Sequence, residues 1–360
     1  MILYLFAGAV AVQCFYTLYF FLRFFSSTEI SKKNSKADGI SIIICAKNEA
    51  PNLAKNLPSI LAQQYSGPFE VIVVNDASSD DTDVVAAAAG AKVVDIHPEE
   101  PRILKGKKHA LSAGVAAARY SLLLFTDADC KPASEQWLKL MAAPFSAGKQ
   151  IVVGYGAYER TGILLNKFVR WETLHSFLQF STYTRAGIPY MATGRNLACT
   201  RAVFDSVQKD DNWNSLPSGD DDMLIQIAAD AQNTAVVMDK PAFTYSVTKA
   251  TWKEWMTQKQ RHVSTGKYYK WHIKLLLGAY AASHAVSWLC FFFLLFVSSK
   301  AALALMTVRC LLFWTAFACA ARATGEKGMF YFIPAFDFGW MLYNFAFAPY
   351  IFWKNKQNWK

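Results

Sequence analysis

Seven cysteines are scattered through the chain without a spacing that makes a framework. Cys14, Cys290, Cys310 and Cys319 fall in long apolar segments, and Cys45, Cys130 and Cys199 lie far apart, so neither a zinc module nor a disulfide scaffold is expected. Isolated cysteines of this kind serve as small buried hydrophobes, and a reducing compartment is compatible with them. A glycine-rich triphosphate loop is also missing: the first strand-like run is followed by Lys47-Asn48-Glu49-Ala50-Pro51, which argues against a nucleotidyltransferase. Negative charge is the scarcer sign, with 27 acidic against 37 basic residues and a formal net charge of +10. No basic and aromatic pattern of a nucleic-acid module accompanies that excess; a membrane surface and diphosphate ligands account for it. No internal repeat or low-complexity linker divides the middle of the chain, so residues 37–250 are expected to fold as one unit.

What is abundant is apolar: 53% of residues are hydrophobic and 15% aromatic, concentrated at the two ends. Residues 1–25 form the first apolar segment. No Lys or Arg precedes it, whereas Arg23, Lys32, Lys33 and Lys36 follow, an order that favours an anchor over a cleaved signal peptide. The positive-inside rule then places the chain after residue 26 in the cytoplasm, making this an integral membrane protein with a cytoplasmic catalytic part. Further apolar segments at 275–297, 301–321 and 329–352 make residues 274–353 a block of transmembrane or re-entrant segments, followed by a basic tail at 354–360 with Lys354, Lys356 and Lys360. If all of them crossed, that tail would lie outside, against the charge rule. The last segment, interrupted by Pro334, Asp337, Gly339 and Pro349, is therefore the one expected not to span.

Between the ends, strand and helix signals alternate. Runs at 40–45, 71–75, 92–96, 122–125 and 150–155 read as strands, and 52–64, 81–89, 107–119 and 134–145 as helices, which predicts an α/β fold with a doubly wound, mostly parallel sheet. Acids follow two of these strands: Asp76, then Asp127 and Asp129. Open α/β sheets bind ligands at the carboxyl edge of their strands. Asp127 and Asp129 can present oxygens to Mg or Mn shared with phosphate, although a lone D-x-D is also common in turns, and Asp76 alone could be no more than a helix cap. The run Asp220-Asp221-Asp222 opens another helix pattern, and Asp222 reads as a helix N-terminal charge. Leu164, Phe168, Trp171, Leu174 and Leu178 recur at helical spacing in 163–181, as an interfacial or a core-facing helix. Residues 251–273, with Trp252, Trp255, Tyr268, Tyr269 and Trp271 among lysines, read as a helix at headgroup level. His97, His109, His175 and His284 have no ligand spacing and read as structural or exposed.

Taken in order, Cys45-Ala46-Lys47-Asn48-Glu49, Asn75-Asp76-Ala77-Ser78-Ser79-Asp80, Gly106-Lys107-Lys108-His109-Ala110-Leu111, Thr126-Asp127-Ala128-Asp129, Gly194-Arg195-Asn196, Ser218-Gly219-Asp220-Asp221-Asp222 and Gln258-Lys259-Gln260-Arg261 resemble the membrane-bound family 2 glycosyltransferases of GT-A fold, both the lipid-directed and the polysaccharide-synthase-like members. The resemblance runs from about residue 40 to 262.

The resemblance implies a metal-dependent, inverting hexosyltransferase with a GT-A domain over 37–250. By it, Lys47, Asn48, Glu49 and Asp76 would line the nucleotide base and ribose, and Lys107 would approach the diphosphate. Asp129 would bind the divalent cation, with Asp127 beside it on the sugar or ribose side of the donor. Asp221 matches the family's catalytic base and Asp220 a supporting group. Gly194, Arg195 and Asn196 would form part of the acceptor wall, although a plain turn is the alternative. Gln258 and Arg261 match a Q-x-x-R-W motif that closes over the diphosphate; His262 stands where that motif has Trp, which leaves acceptor stacking there open. The expected donor is a UDP-sugar and the expected acceptor a lipid or lipid-linked hydroxyl, with no nucleic-acid partner. Two alternatives remain: a processive polysaccharide synthase, for which the few C-terminal segments leave little channel material, and a non-catalytic membrane scaffold that retained the fold.

Overall fold

The computed structural model describes residues 1–26, 37–102, 104–216, 218–297 and 299–352. The basic residues Lys32, Lys33, Lys36, Lys354, Lys356 and Lys360 fall outside that range. Helix α1 (Ile2–Phe15) runs on through wider and tighter turns to Phe25. Alternation then begins: β1 (Ile40–Ala46), α2 (Ala50–Leu61), β2 (Phe69–Asp76), α3 (Thr82–Ala88), β3 (Lys92–Ile96), α4 (Lys107–Ala117) and β4 (Leu122–Asp127). Next come β5 (Lys131–Pro132), α5 (Trp137–Ala142), β6 (Ile151–Val153), β7 (Gly156–Tyr158) and the long α6 (Leu164–Arg185). The domain continues with β8 (Leu197–Thr200), α7 (Arg201–Val207), α8 (Asp211–Ser215), α9 (Asp220–Ala228), β9 (Thr234–Val236) and β10 (Thr244–Ser246). Four helices follow: α10 (Trp252–Val263), α11 (Trp271–Phe296), α12 (Lys300–Thr324) and α13 (Ile333–Phe347).

The main sheet has the order β3-β2-β1-β4-β8-β6-β9, and only β8 runs against its neighbours. A small second sheet, β5-β10-β7, flanks it. Every residue of β1 is buried, as expected for a parallel strand covered on both faces, and full burial of an Ile or Val side chain contributes about 1.5–3 kcal/mol. Gly114 lets α4 press onto the sheet: a Cβ there would lie 2.7 Å from Ile43 Cγ2. The registers Cys45 to Asp127 and Cys45 to Val74 bring the ends of β1, β2 and β4 level at one edge.

The 163–181 segment is the core-facing helix, longer than its sequence pattern. In α6 the side chains of Trp171, Leu174, Phe177, Leu178, Phe180 and Tyr183 are all buried, and its interfacial reading is corrected. The reason is tertiary. Phe317 of α12 and Phe336 and Trp340 of α13 stack on Trp171, covering a face that would otherwise meet lipid headgroups. The 251–273 region also differs from one continuous interfacial helix. A capping box of Thr251 and Glu254 starts α10, a tight turn over Ser264–Tyr268 ends it, and Trp255 is buried against Phe168 and Phe347 while Trp252 stays exposed.

Among the described residues, three helices are long and apolar enough to cross a membrane: Ile2–Phe25, Trp271–Phe296 and Lys300–Thr324. The fourth, α13, has 15 residues and is not among them. Three crossings leave residues 37–270 and 325–352 on one side, where Glu326 at the end of α12 is buried against Arg170 of α6 and accepts a hydrogen bond from the Tyr155 hydroxyl at 3.3 Å. Within the helices Asp337 of α13 pairs with Arg309 of α12, accepts from Trp314 Nε1 at 2.9 Å and meets His284 Nε2 of α11 at 3.0 Å. Gln13 of α1 joins this group through Arg309 Nη2 at 3.2 Å. His284 and His175 are both fully buried structural residues.

Candidate active site

The carboxyl edge of the sheet supplies one wall. Asp127 closes β4 and forms an ion pair with Lys107, the first residue of α4; burial opposes the Asp127 charge, but the ammonium outweighs it and holds the carboxyl below its ordinary range. Gly106 at φ +63° makes the turn that aims Lys107 inward. Burial and the neighbouring Asp127 charge raise the carboxyl of Asp129. The ligand atoms of Asp127, Asp129 and Cys130 lie within 4.8 Å of one another. Two carboxylates brought this close, each offering hard oxygens, fit a divalent ion such as Mg or Mn. The thiol of Cys130 points at Asp129 Oδ1 from 3.5 Å and is pushed well up by burial, so it stays protonated.

Two loops beside this wall are stitched together. Asn48 takes a left-handed φ of +56°, its N–H donates to Ser78 Oγ at 3.0 Å, and its Oδ1 accepts from the Ser79 N–H at 2.7 Å. Its side chain is therefore engaged in the loop after β2, while Lys47 and Glu49 on either side face the cavity. Asp76 is fully buried, and both of its oxygens accept from Arg102, at 3.2 and 2.5 Å.

The opposite wall is built from α9 and α10. Asp221 Oδ2 accepts from the Gly194 N–H at 2.8 Å and Oδ1 from the Asp222 N–H at 2.9 Å. Burial and the adjacent Asp220 nevertheless push its carboxyl up to about 6. Gly194 is the residue that permits this approach, because a Cβ there would lie 3.3 Å from Asp221 Oδ2. Asp222 lies in the first turn of α9, as expected of a helix N-terminal charge, but it is not solvated. It is buried, accepts from Thr265 Oγ1 at 3.0 Å and the Tyr269 hydroxyl at 2.7 Å, and burial with the Asp221 charge raises it to about 8.

The Gly194-Arg195-Asn196 stretch divides. Arg195 lines the cavity with its guanidinium 4.2 Å over the Tyr158 ring, donating to the Tyr158 hydroxyl at 2.9 Å and the Gly156 carbonyl at 2.5 Å. Asn196, expected on an acceptor wall, stands behind it. Its side chain is fully buried and donates to the Tyr155 and Ala242 carbonyls at 3.0 and 2.9 Å while accepting from Trp137 Nε1 at 2.9 Å, which leaves no polar atom for a ligand.

A single cavity of about 1170 Å³ joins the two walls. Its lining takes in Lys47, Glu49, Lys107, Asp127 and Asp129 from the strand edge, Asp220, Asp221, Gln258, Arg261 and His262 from α9 and α10, and Phe177, Phe180, Trp340 and Tyr343 from α6 and α13. Some of its residues carried no local signal. Glu172 of α6 pairs with Lys259 at 2.5 Å and pins the Gln258–Arg261 turn of α10. Lys108, adjacent to Lys107, points the other way: its fully buried ammonium donates to the Trp213 and Leu216 carbonyls, and burial lowers it to about 8. Of the doubled lysine, the resemblance singled out Lys107, and Lys107 is the one of the two that lines the cavity.

Residues 41–205 match the family described as glycosyl transferase family 2. Over that stretch the chain is similar to glycosyl transferase family 2. Over 96 residues the chain is 43% identical to 4,4'-diaponeurosporenoate glycosyltransferase of Staphylococcus aureus (strain MRSA252), covering 27% of this chain. The match spans 24% of that protein's length. A mannosyltransferase from Pyrobaculum calidifontis, solved in complex with GDP-Man and Mn2+, superposes with a TM-score of 0.58 at 17% identity, covering 91% of this chain and 99% of its own; at that identity it establishes the GT-A fold alone.

Proposed function

We propose that this protein is a membrane-anchored, inverting glycosyltransferase that moves a sugar from a nucleotide sugar, read as a UDP-sugar, to a hydroxyl of a membrane lipid or lipid-linked acceptor. The observation that carries the reading is the make-up of the cavity, whose lining joins the strand-end carboxylates to aromatic side chains of α6 and α13. A soluble acceptor gives no reason for those side chains. The curated relative, named for 4,4'-diaponeurosporenoate, supports an apolar acceptor. The three candidate spans support residence in the membrane, with the catalytic part on the cytoplasmic side.

A divalent cation held by Asp129, with Asp127 beside it, would oppose charge on the donor diphosphate. Lys107 and Arg261 both line the cavity, both favour the charge of Asp127, and would add positive charge as the bond from the sugar C1 to the diphosphate oxygen breaks. Asp221 takes the proton of the acceptor hydroxyl while that oxygen bonds to C1 from the opposite face, and the nucleoside diphosphate leaves. With its carboxyl near 6, Asp221 is ionised at neutral pH yet basic enough to accept that proton. Lys47, Glu49 and Asp76 belong to the base and ribose end; Asp76 is reached only when Arg102 shares or yields its oxygens.

The test uses the full chain in lipid nanodiscs with UDP- and GDP-sugars, a divalent cation, and mass spectrometry of the extracted lipids. Addition of a single hexose to a lipid, lost in chelator, is expected. Long glycan products would favour a processive synthase, and no turnover of any donor would favour a scaffold.

A further inference from the structure

The beginning of α9 sits directly on the turn that joins α10 to α11. Three contacts make that seat. Asp222 Oδ2 accepts from Thr265 Oγ1 and from the Tyr269 hydroxyl at 3.0 and 2.7 Å. One turn of helix further on, Gln226 Oε1 accepts from the Lys270 N–H at 2.9 Å. Gly219, at φ +79°, lies so close that a Cβ on it would come within 2.3 Å of Thr265 Cγ2. The turn itself follows Arg261 closely and leads into α11, a candidate membrane span.

We propose that Asp222, through Thr265 and Tyr269, is a positioning residue that sets Asp221 against Arg261 and ties both to the membrane helix α11. The inference rests on the glycosyltransferase reading and adds to it. Asp221 is oriented by the backbone N–H of Asp222, so whatever fixes residue 222 fixes the angle of the neighbouring carboxylate. Residue 222 is fixed not by its own loop but by hydroxyls 43 and 47 positions further along the chain. A group transfer needs the base and the diphosphate-facing cation on opposite sides of one sugar ring, and an error of about 1 Å in such a geometry costs up to about a hundredfold in rate. A buried carboxyl that stays protonated suits the task, because it accepts both hydroxyls on one oxygen without setting a second anion beside Asp221.

Asparagine reproduces that neutral acceptor and leucine removes it at similar volume. Asp222→Leu in the full chain is expected to lower kcat about tenfold or more, with the donor KM changed less than about threefold. Asp222→Asn should keep most of kcat, and Tyr269→Phe should fall between. Equal loss in the Asn and Leu variants, an unchanged kcat in Asp222→Leu, or a loss confined to KM overturns the proposal. If Asp222→Leu does not fold, the double variant Thr265→Val with Tyr269→Phe carries the same comparison. Hydrogen exchange gives a readout independent of transfer: the Asp222 and Gly194 amides should lose protection in the Leu variant and keep it in the Asn variant, and equal protection in both overturns the strap even where the wild-type protein transfers no sugar.

Discussion

At the donor-side wall, Lys47, Asp127 and Asp129 lie together because β1 and β4 are parallel neighbours that end level, with Cys45 opposite Asp127. At the other wall, Asp221 is held from Gly194 and Lys259 from Glu172, and outside the cavity lining, next to Tyr155, Glu326 is held from Arg170, partners between 27 and 156 positions apart. On the first wall, place in the chain decides place in space. On the second, position is decided by which distant side chains meet. The first should therefore tolerate change in its surroundings and lose function only at the ligating atoms, whereas the second should lose geometry when any of its ties is cut.

The sharpest test removes an atom from the first wall. Asp129→Ala should abolish divalent-dependent nucleotide binding, measured by calorimetry with and without Mn2+, because an oxygen ligand is lost. Unchanged metal dependence would remove the D-x-D from the site. Next in size, Asp221→Asn should lower kcat by about a hundredfold or more while nucleotide affinity stays within a few fold. A greater loss in Asp220→Asn would move the base by one residue. In the wild-type enzyme kcat should fall as pH drops through about 6, where Asp221 gains its proton.

Cutting one of these distant ties should act on stability. Glu326→Leu leaves Arg170 charged and buried, a change that costs about 3–5 kcal/mol, and it should lower the unfolding temperature of the whole protein. Retained stability would mean that the loop after α12 is not seated on α6. A pH-dependent effect belongs to Asp222. Its folded-state pKa of about 8 lies above the ordinary 3.8, so the protonated carboxyl favours the folded state at low pH, and that advantage is lost as pH rises toward 8. The unfolding temperature of Asp222→Asn relative to wild type should therefore rise between about pH 4 and 8 and level off above. A flat difference would mean that Asp222 is ionised throughout. Smallest of all, Trp252→Ala should change stability by less than about 0.5 kcal/mol, as expected for an exposed side chain, whereas Trp255→Ala should cost about 3–5 kcal/mol, as expected for a buried one.

The same contrast explains what could be read from sequence. The α/β alternation and the acids at strand ends are local patterns, and the parallel sheet with level strand ends followed from them. Asn196 looks like a site residue by motif and Asp222 like a helix N-terminal charge, yet both are buried, and only their partners Trp137, Thr265 and Tyr269 show why. For α6 the apolar spacing fitted a lipid-facing and a core-facing helix equally. The choice was made by Phe317, Phe336 and Trp340, from helices more than a hundred residues later.

The contact of Arg309 with Asp337 bears on how the chain enters the bilayer during synthesis. Arg309 lies within a helix long enough to cross, and an arginine at the centre of such a helix raises its insertion free energy by about 2.5–3.5 kcal/mol. Its partner Asp337 emerges from the ribosome 28 residues later, in a helix too short to span alone. During that interval α12 carries an uncompensated cation. Stable residence then becomes a property of α12 and α13 together, so a ribosome stalled before Asp337 would leave α12 prone to slip back out of the membrane.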